Sequence, residues 1–251
     1  MDRLIYTAMT GAAHSLSRQA AVAHNLANVA TTGYRAEEHR ARAVQVNPAA
    51  DPRTLRTRAF AADASTHSDL TQGPMQITGR ELDIAVQGSG WIAVTDANGQ
   101  EAYTRAGSLG LSVNGILQTS TGLPVAQADG GPLSIPPESK ISIGKDGTVS
   151  IVPETGAQST VSSIGRIKLV DHPAGGLERG ADGLFRTPGG AALPASETAS
   201  VVSGFLEGSN VNAVDQMVSM ISLARQFEMQ MKMISNADQN DRAATQILAH
   251  R

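Results

Sequence analysis

His24-Asn25-Leu26-Ala27-Asn28-Val29-Ala30-Thr31-Thr32-Gly33-Tyr34 closes a long amphipathic pattern that begins at Leu4. Apolar or small residues recur through it at Ile5, Met9, Ala12, Leu16, Ala20, Ala23, Leu26 and Ala30. Their spacing is mostly three or four, as in a heptad seam. It predicts a helix over 4–31, roughly 40 Å long at 1.5 Å per residue. Gly33 can take the left-handed conformation that stops a helix, and Asn28, Thr31 and Thr32 favour an end there. Between Leu4 and Tyr34 the one formal charge is Arg18. A solvated helix back is laced with Lys and Glu at i, i+4 spacing. This one offers Ala, Ser, Thr, Gln, Asn and His, so other backbones can approach on several faces.

The opposite end repeats the theme. After Gly208-Ser209-Asn210-Val211-Asn212, a helix is expected over 211–248, with Val214, Met217, Met220, Ala224, Phe227, Met231, Ile234 and Ala237 near the same spacing. Methionines in such a row fill irregular gaps between helices. Beyond Asp238 the pattern frays into Gln239-Asn240-Asp241-Arg242. Helices of this kind are marginal alone. Both ends are therefore expected to order on assembly, with Asn25 and Asn28 as candidates for setting register in a coiled coil.

Residues 35–69 read as a polar connector: Arg35, Arg40, Arg42, Arg53, Arg56 and Arg58 mix with Glu37, Glu38, Asp51 and Asp63, and Pro48 and Pro52 break any helix. From 70 to 206 the signals are short strands and turns. Leu82–Val86 and Trp91–Thr95 come first, and Asn98-Gly99 returns the chain through Glu101–Arg105. Asn114-Gly115 joins Leu109–Val113 to Ile116–Thr119, and Asp146-Gly147 joins Lys140–Ile143 to Thr148–Val152. Dipeptides of this type turn hairpins. Further strands are expected at 166–170, 184–187 and 200–206. The predicted class is α+β: N- and C-terminal helices forming a coiled-coil domain (1–34 and 207–251), with a central, mainly antiparallel β domain (70–206), a sandwich or distorted barrel.

The 251 residues are 41% hydrophobic and 17% charged, against about 25% charged in ordinary soluble chains. The shortfall implies that nominal surface is covered by something else. A net charge of −3 and 3% aromatics offer nothing to nucleic acid or an anionic membrane. Cysteine is absent, which excludes disulfides and thiol chemistry. No segment is apolar enough to span a bilayer, and Asp2, Arg3, Thr7 and Thr10 spoil a cleavable secretory signal at the N-terminus.

Enzyme signals fail class by class. The histidines at 14, 24, 39, 67, 172 and 250 share no metal-ligand spacing. Gly88-Ser89-Gly90 lies between strands and opens no helix. Gly144–Thr148 is a hairpin turn and lacks the glycine spacing of a phosphate loop. Nothing brings Asp83 and Glu101 together as an acid–base pair. No catalytic residue, cofactor or metal is expected.

Several of these stretches resemble the bacterial flagellar rod and hook proteins. Asn25-Leu26-Ala27-Asn28 with Thr31-Thr32-Gly33-Tyr34-Arg35 is similar to that family's N-terminal signature, with His24 where a second asparagine is usual. Thr71-Gln72-Gly73, Leu82–Gly88 and Tyr103-Thr104-Arg105-Ala106-Gly107 resemble its β-domain motifs, with Trp91-Ile92 where two phenylalanines are common. Leu206-Glu207-Gly208-Ser209-Asn210-Val211 and Ala224–Glu228 resemble its closing helix. Asp2–Gly11 and Gln230–Met233 are most similar to proximal-rod members, with distal-rod members second.

The resemblance implies a structural subunit exported uncleaved through the flagellar type III apparatus. It would polymerise with copies of itself and other axial proteins into the periplasmic rod that transmits torque around the export channel. It also implies that assembly runs through Ile5, Met9, Ala12, Leu16, Ala23, Asn25, Leu26, Asn28, Thr32 and Gly33 at one end. At the other end the corresponding residues are Asn210, Val211, Met217, Met220, Ala224, Phe227, Met231 and Ile234. A secreted β-rich adhesin oligomerised by helical ends is the competing reading, and scarce aromatics weigh against it.

Overall fold

The computed structural model describes residues 2–45, 59–136, 139–153, 161–173 and 176–249. The chain divides into two compact units, one of Met1–Val29, Ala36–Leu70 and Val211–Arg251, the other of Ala30–Arg35 and Thr71–Asn210.

The first unit holds helix α1 (Asp2–Ala27), a ribbon of β1 (Glu37–Gln45) with β2 (Ala59–Ser68), and, at the far end of the sequence, helix α2 (Ala213–Ala249). α1 stops at Ala27, short of the expected end at 31. The Asn28 N–H there is shared between the carbonyls of His24 and Asn25. Gly33 therefore does not cap the helix; it serves a turn in the second unit. α2 starts behind Asn212, whose Oδ1 accepts the Val214 N–H at 3.0 Å, an N-cap, with Asp215 in the favourable first turn. It continues past Asp238, where the apolar pattern thins and an exposed Asp238–Arg242 pair at i, i+4 spacing lends modest support.

The expected polar connector is, in its described residues, an antiparallel ribbon running from Glu37↔Ser68 to Gln45↔Ala59, with a register shift between Arg40 and Ala41. Along β1 the half-buried Glu37, His39 and Ala41 alternate with the exposed Glu38, Arg40 and Arg42. That is a period-two pattern. It escapes sequence reading because the inward residues are Ala and His where a strand normally carries Val or Ile. The expected breakers Pro48 and Pro52, with Asp51, Arg53, Arg56 and Arg58, lie outside the described residues, as does His250.

The second unit is antiparallel β throughout. In chain order it contains β3 (Met75–Ile77), β4 (Ile84–Gln87), β5 (Trp91–Thr95), β6 (Glu101–Thr104), β7 (Leu109–Leu111), β8 (Leu117–Thr119), β9 (Ser139–Ile143) and β10 (Thr148–Pro153). Then follow β11 (Ser162–Arg166), β12 (Leu169–Val170), β13 (Glu178–Arg179), β14 (Phe185–Arg186), β15 (Ser200–Ser203) and β16 (Phe205–Glu207). Where a sandwich or distorted barrel was expected, the described strands pair as several small sheets: β12-β5-β6-β14-β13, β11-β10-β9, and the pairs β15-β4, β16-β3 and β7-β8. The Asn98-Gly99, Asn114-Gly115 and Asp146-Gly147 hairpins are all present.

Two expected strands are each divided. Residues 166–170 split between β11 and β12, and 200–206 turns at Gly204 (φ +78) between β15 and β16. One core joins the small sheets, built from Ile84, Val86, Ile92, Val94, Leu109, Leu117, Leu133, Val149, Ile167 and Leu169 with their neighbours. Each such side chain contributes about 1.5–3 kcal/mol when fully buried.

Candidate functional site

The chemistry-bearing features lie in two places, one in each unit. In the first unit the helices carry interleaved seams. On α1 one row runs Ile5, Ala8, Ala12, Ser15, Gln19, Val22, Leu26, with every member buried or half-buried. This row meets α2: Ser15 Oγ lies 3.2 Å from Gln230 Oε1, and a Cβ added to Gly11 would touch the same amide. A second row, Tyr6, Met9, Ala13, Leu16, Ala20, Ala23, Ala27, repeats the heptad spacing one residue later, and every member is exposed. Tyr6, Met9 and Leu16 expose 61%, 52% and 49% of their surface.

The single seam expected from sequence mixes these rows. Ile5, Ala12 and Leu26 belong to the covered one. Met9, Leu16, Ala20 and Ala23 belong to the open one, and Ala30 lies beyond the helix. A 3.6-residue helix drifts against a 3.5 repeat, so one broad apolar stripe holds two seams that spacing alone does not separate.

α2 shows the same division. Gln216, Met220, Leu223, Phe227, Gln230, Ile234 and Ala237 form its covered row, Leu223 and Ala237 being buried. Val214, Met217, Val218, Ile221, Met229, Met231 and Met233 are exposed. Of the residues expected in assembly, Met220, Phe227 and Ile234 thus sit on the covered row and Ala224 is half-buried, while Met217 and Met231 are open.

Asn25 is buried, and its carboxamide faces the ribbon. Its Nδ2 donates to the Glu37 carbonyl at 2.8 Å, and its Oδ1 accepts the Glu37 N–H at 2.9 Å. The side chain thus reproduces the hydrogen-bond pair of an antiparallel strand and pins β1 to α1. His24, 3.6 Å from the Glu37 carboxylate, and the His14–His39 ring contact at 5.7 Å line the same junction. Asn28 Nδ2 instead bonds back to the His24 carbonyl. Asn25→Ala removes both hydrogen bonds to the part-buried Glu37 backbone, at a cost of about 1 kcal/mol. Amide exchange is then expected to accelerate across residues 37–45 and stay unchanged across β9 and β10; uniform acceleration would contradict the pinning role.

In the second unit, three separate sequence motifs converge on the carboxylate of a fourth. Glu207, at the end of β16, is fully buried. Arg35 Nη2 lies 2.6 Å from its Oε1, and Arg105 Nη1 donates to its Oε2 at 3.1 Å, with both guanidinium groups at 2% side-chain exposure or less. The Gly73 N–H donates to Oε1 at 3.0 Å, and the Gly33 N–H to the Glu207 carbonyl at 2.8 Å. The Arg35 contact is Coulombic more than directional. Its Nη2 lacks hydrogen-bond alignment despite the short distance, and Nε and Nη1 have no hydrogen-bond partner among the described residues.

Arg105 also donates to the carbonyls of Val86 and Gly88 and stacks 5.2 Å over Trp91, which tilts against Phe185. Burial pulls its guanidinium below the usual arginine value, and the charge of Glu207 opposes that. Arg179 covers the Tyr34 ring at 4.5 Å and donates to the Arg35 carbonyl.

Glycine is required at two of these approaches. Gly33 has φ +68, and a Cβ there would collide with the Arg105–Ala106 backbone; a Cβ on Gly73 would collide with the Gly208 carbonyl. Half-buried Asn210 closes the arrangement, donating from its backbone to the Tyr34 carbonyl and from Nδ2 to the Thr71 carbonyl at 3.1 Å. Thr32 is half-buried, and Val211, the first residue back in the first unit, is buried.

The sequence places Arg35 in the polar connector, whereas it is buried in the second unit, and it offers Arg105 and Glu207 no role beyond their motifs. The available signal was their setting: charged residues embedded among small and apolar neighbours in a charge-poor chain. Among the described residues no group of three or more His, Asp and Glu is placed to hold a metal, and no helix is long and apolar enough to cross a membrane.

A chain with α-helical ends, an antiparallel β body and these motifs belongs to the flagellar basal-body rod and hook proteins. The family models match in order: flagella basal body rod protein over residues 5–35, the flagellar hook protein FlgE/F/G D1 domain over 85–151, and the flagellar basal body rod FlgEFG protein C-terminal region over 202–247. Within the family the chain is a FlgF-like rod protein. It is 44% identical to the flagellar basal-body rod protein FlgF of Escherichia coli (strain K12) over 255 residues, spanning 99% of both chains. Identity to FlgF of Salmonella typhimurium (strain LT2) is 42% over the same shares, and to FlgG of Bacillus subtilis (strain 168) 30%, over 95% of this chain and 96% of the relative.

Proposed function

We propose that the chain is a non-catalytic structural subunit of the flagellar basal-body rod, joined to copies of itself and to other axial subunits through its terminal helices. The observation that carries this reading is the open row Tyr6–Ala27 of α1, seven consecutive heptad positions without a charge. A continuous apolar row along an exposed helix marks a protein-binding surface. Because α1 already has one covered row, a neighbour on the open row gives it partners on two sides, as in the wall of a tube. Contacts between different faces of successive copies generate a helical filament where their rotation does not close a ring.

On this reading the helices form coiled-coil layers around the export channel, and the rod carries torque across the periplasm. The chain reaches that place uncleaved, by flagellar type III export. Removing residues 1–29, in cells that lack the intact chain, is expected to abolish both swimming and incorporation into isolated basal bodies. Retained motility would refute the rod assignment.

A further inference from the structure

The chain has eight methionines and no cysteine. Five methionines are exposed on the helices: Met9 at 52%, Met217 at 53%, Met229 at 61%, Met231 at 46% and Met233 at 48%. Met220, one position in the covered row of α2, is half-buried. Exposed thioethers are the side chains most readily and reversibly oxidised in a protein without thiols. Four of them lie on α2, three beside the exposed Arg225, Glu228 and Lys232, and Met9 lies on the uncharged open row of α1.

We propose that this methionine set is an oxidation-sensitive modification site that prevents a damaged chain from assembling; the inference rests on the rod reading above. The reactant is a peroxide. With hydrogen peroxide, the methionine sulfur attacks one oxygen, the O–O bond breaks, the proton on the transferred oxygen passes to the departing hydroxide, and sulfur is oxidised by two electrons to the sulfoxide as water leaves. The product is a polar, chiral acceptor where the helix offers an apolar, pliable surface. Buried at a helix contact without a donor, each sulfoxide weakens that contact about fivefold or more. Repair belongs to the methionine sulfoxide reductase class of reaction, in which a dithiol gives two electrons and becomes a disulfide while the sulfoxide oxygen leaves as water, so the block is reversible before assembly. After assembly the same residues are covered and protected.

Two measurements test this. In the first, the full-length purified chain is titrated with hydrogen peroxide and mapped by peptide mass spectrometry. The five exposed methionines are expected to oxidise several-fold faster than Met220, and equal rates would overturn the proposal. In the second, motile cells are given sublethal peroxide during flagellar growth, and sulfoxide is compared in chain from isolated basal bodies and in chain left unincorporated. Sulfoxide on the α2 peptides is expected to be enriched in the unincorporated pool and depleted in basal bodies; equal content overturns the proposal.

A variant carrying Met9→Leu, Met217→Leu, Met229→Leu, Met231→Leu and Met233→Leu is expected to keep incorporating under peroxide. Peroxide sensitivity unchanged by those substitutions also overturns the proposal. Absence of untreated wild-type chain from basal bodies would instead refute the rod reading itself.

Discussion

Glu207→Gln is expected to destabilise the β unit by about 3–5 kcal/mol, the typical cost of removing one partner from a fully buried ion cluster. The amide keeps the shape of the carboxylate and removes its charge, leaving Arg35 and Arg105 buried and mutually repelling. Few single substitutions cost so much. The loss would be read as a lower denaturation midpoint with the slope preserved, followed through the near-UV signal of Trp91, which lies under Arg105. A triple change, Arg35→Met with Arg105→Met and Glu207→Leu, removes the charges together and is expected to recover much of the loss, because an apolar replacement of a buried cluster is often neutral or stabilising. A single Gln variant as stable as the parent would show that the cluster does not hold the unit together. The consequence reaches further than stability. Arg35 and Glu207 lie near two of the four places where the chain passes between the units, so the cluster ties the first segment of the β unit to its end.

The second large effect falls on assembly. Met9→Glu with Leu16→Glu is expected to leave the free chain's stability within about 0.5 kcal/mol of the parent, because both side chains are close to half exposed. Incorporation into the rod is expected to disappear, since two carboxylates would be buried at an apolar helix contact. Ala12→Glu offers the contrast. It places a charge on the buried row against α2, so it is expected to lower the stability of the helical unit before any partner is met. Comparing thermal unfolding with basal-body content across the two variants separates the rows. If the Met9/Leu16 variant incorporates normally, the open row is not an assembly surface.

Much of the architecture was legible from residues alone because the signals are local. Asn98-Gly99, Asn114-Gly115 and Asp146-Gly147 each specify a tight turn, and the strands around them follow by alternation. The terminal helices are visible by regular apolar recurrence, and the first also by its single charge, Arg18, between Leu4 and Tyr34. The ribbon at 37–68 was not legible, because its pairing joins distant residues and its inward positions are small or polar. The buried cluster was hidden for a similar reason. Arg35, Arg105 and Glu207 are distant in the chain, and no periodicity reports that two positive charges will share one carboxylate.

Asn25 shows the limit most clearly. Its place in the heptad pattern suggested a register-setting residue between helices, yet its carboxamide pairs with the backbone of Glu37. By itself, then, the sequence determined the two terminal helices, the hairpin turns with the strands beside them, and the family, all properties of short segments and their order. Only the tertiary structure decided which helix row is covered and which is open, and which motif residues meet at Glu207. Those outcomes depend on how α1 and α2 rotate about their axes and on backbone approaches such as Gly33 to Arg105, and such relations exist only once distant segments are packed.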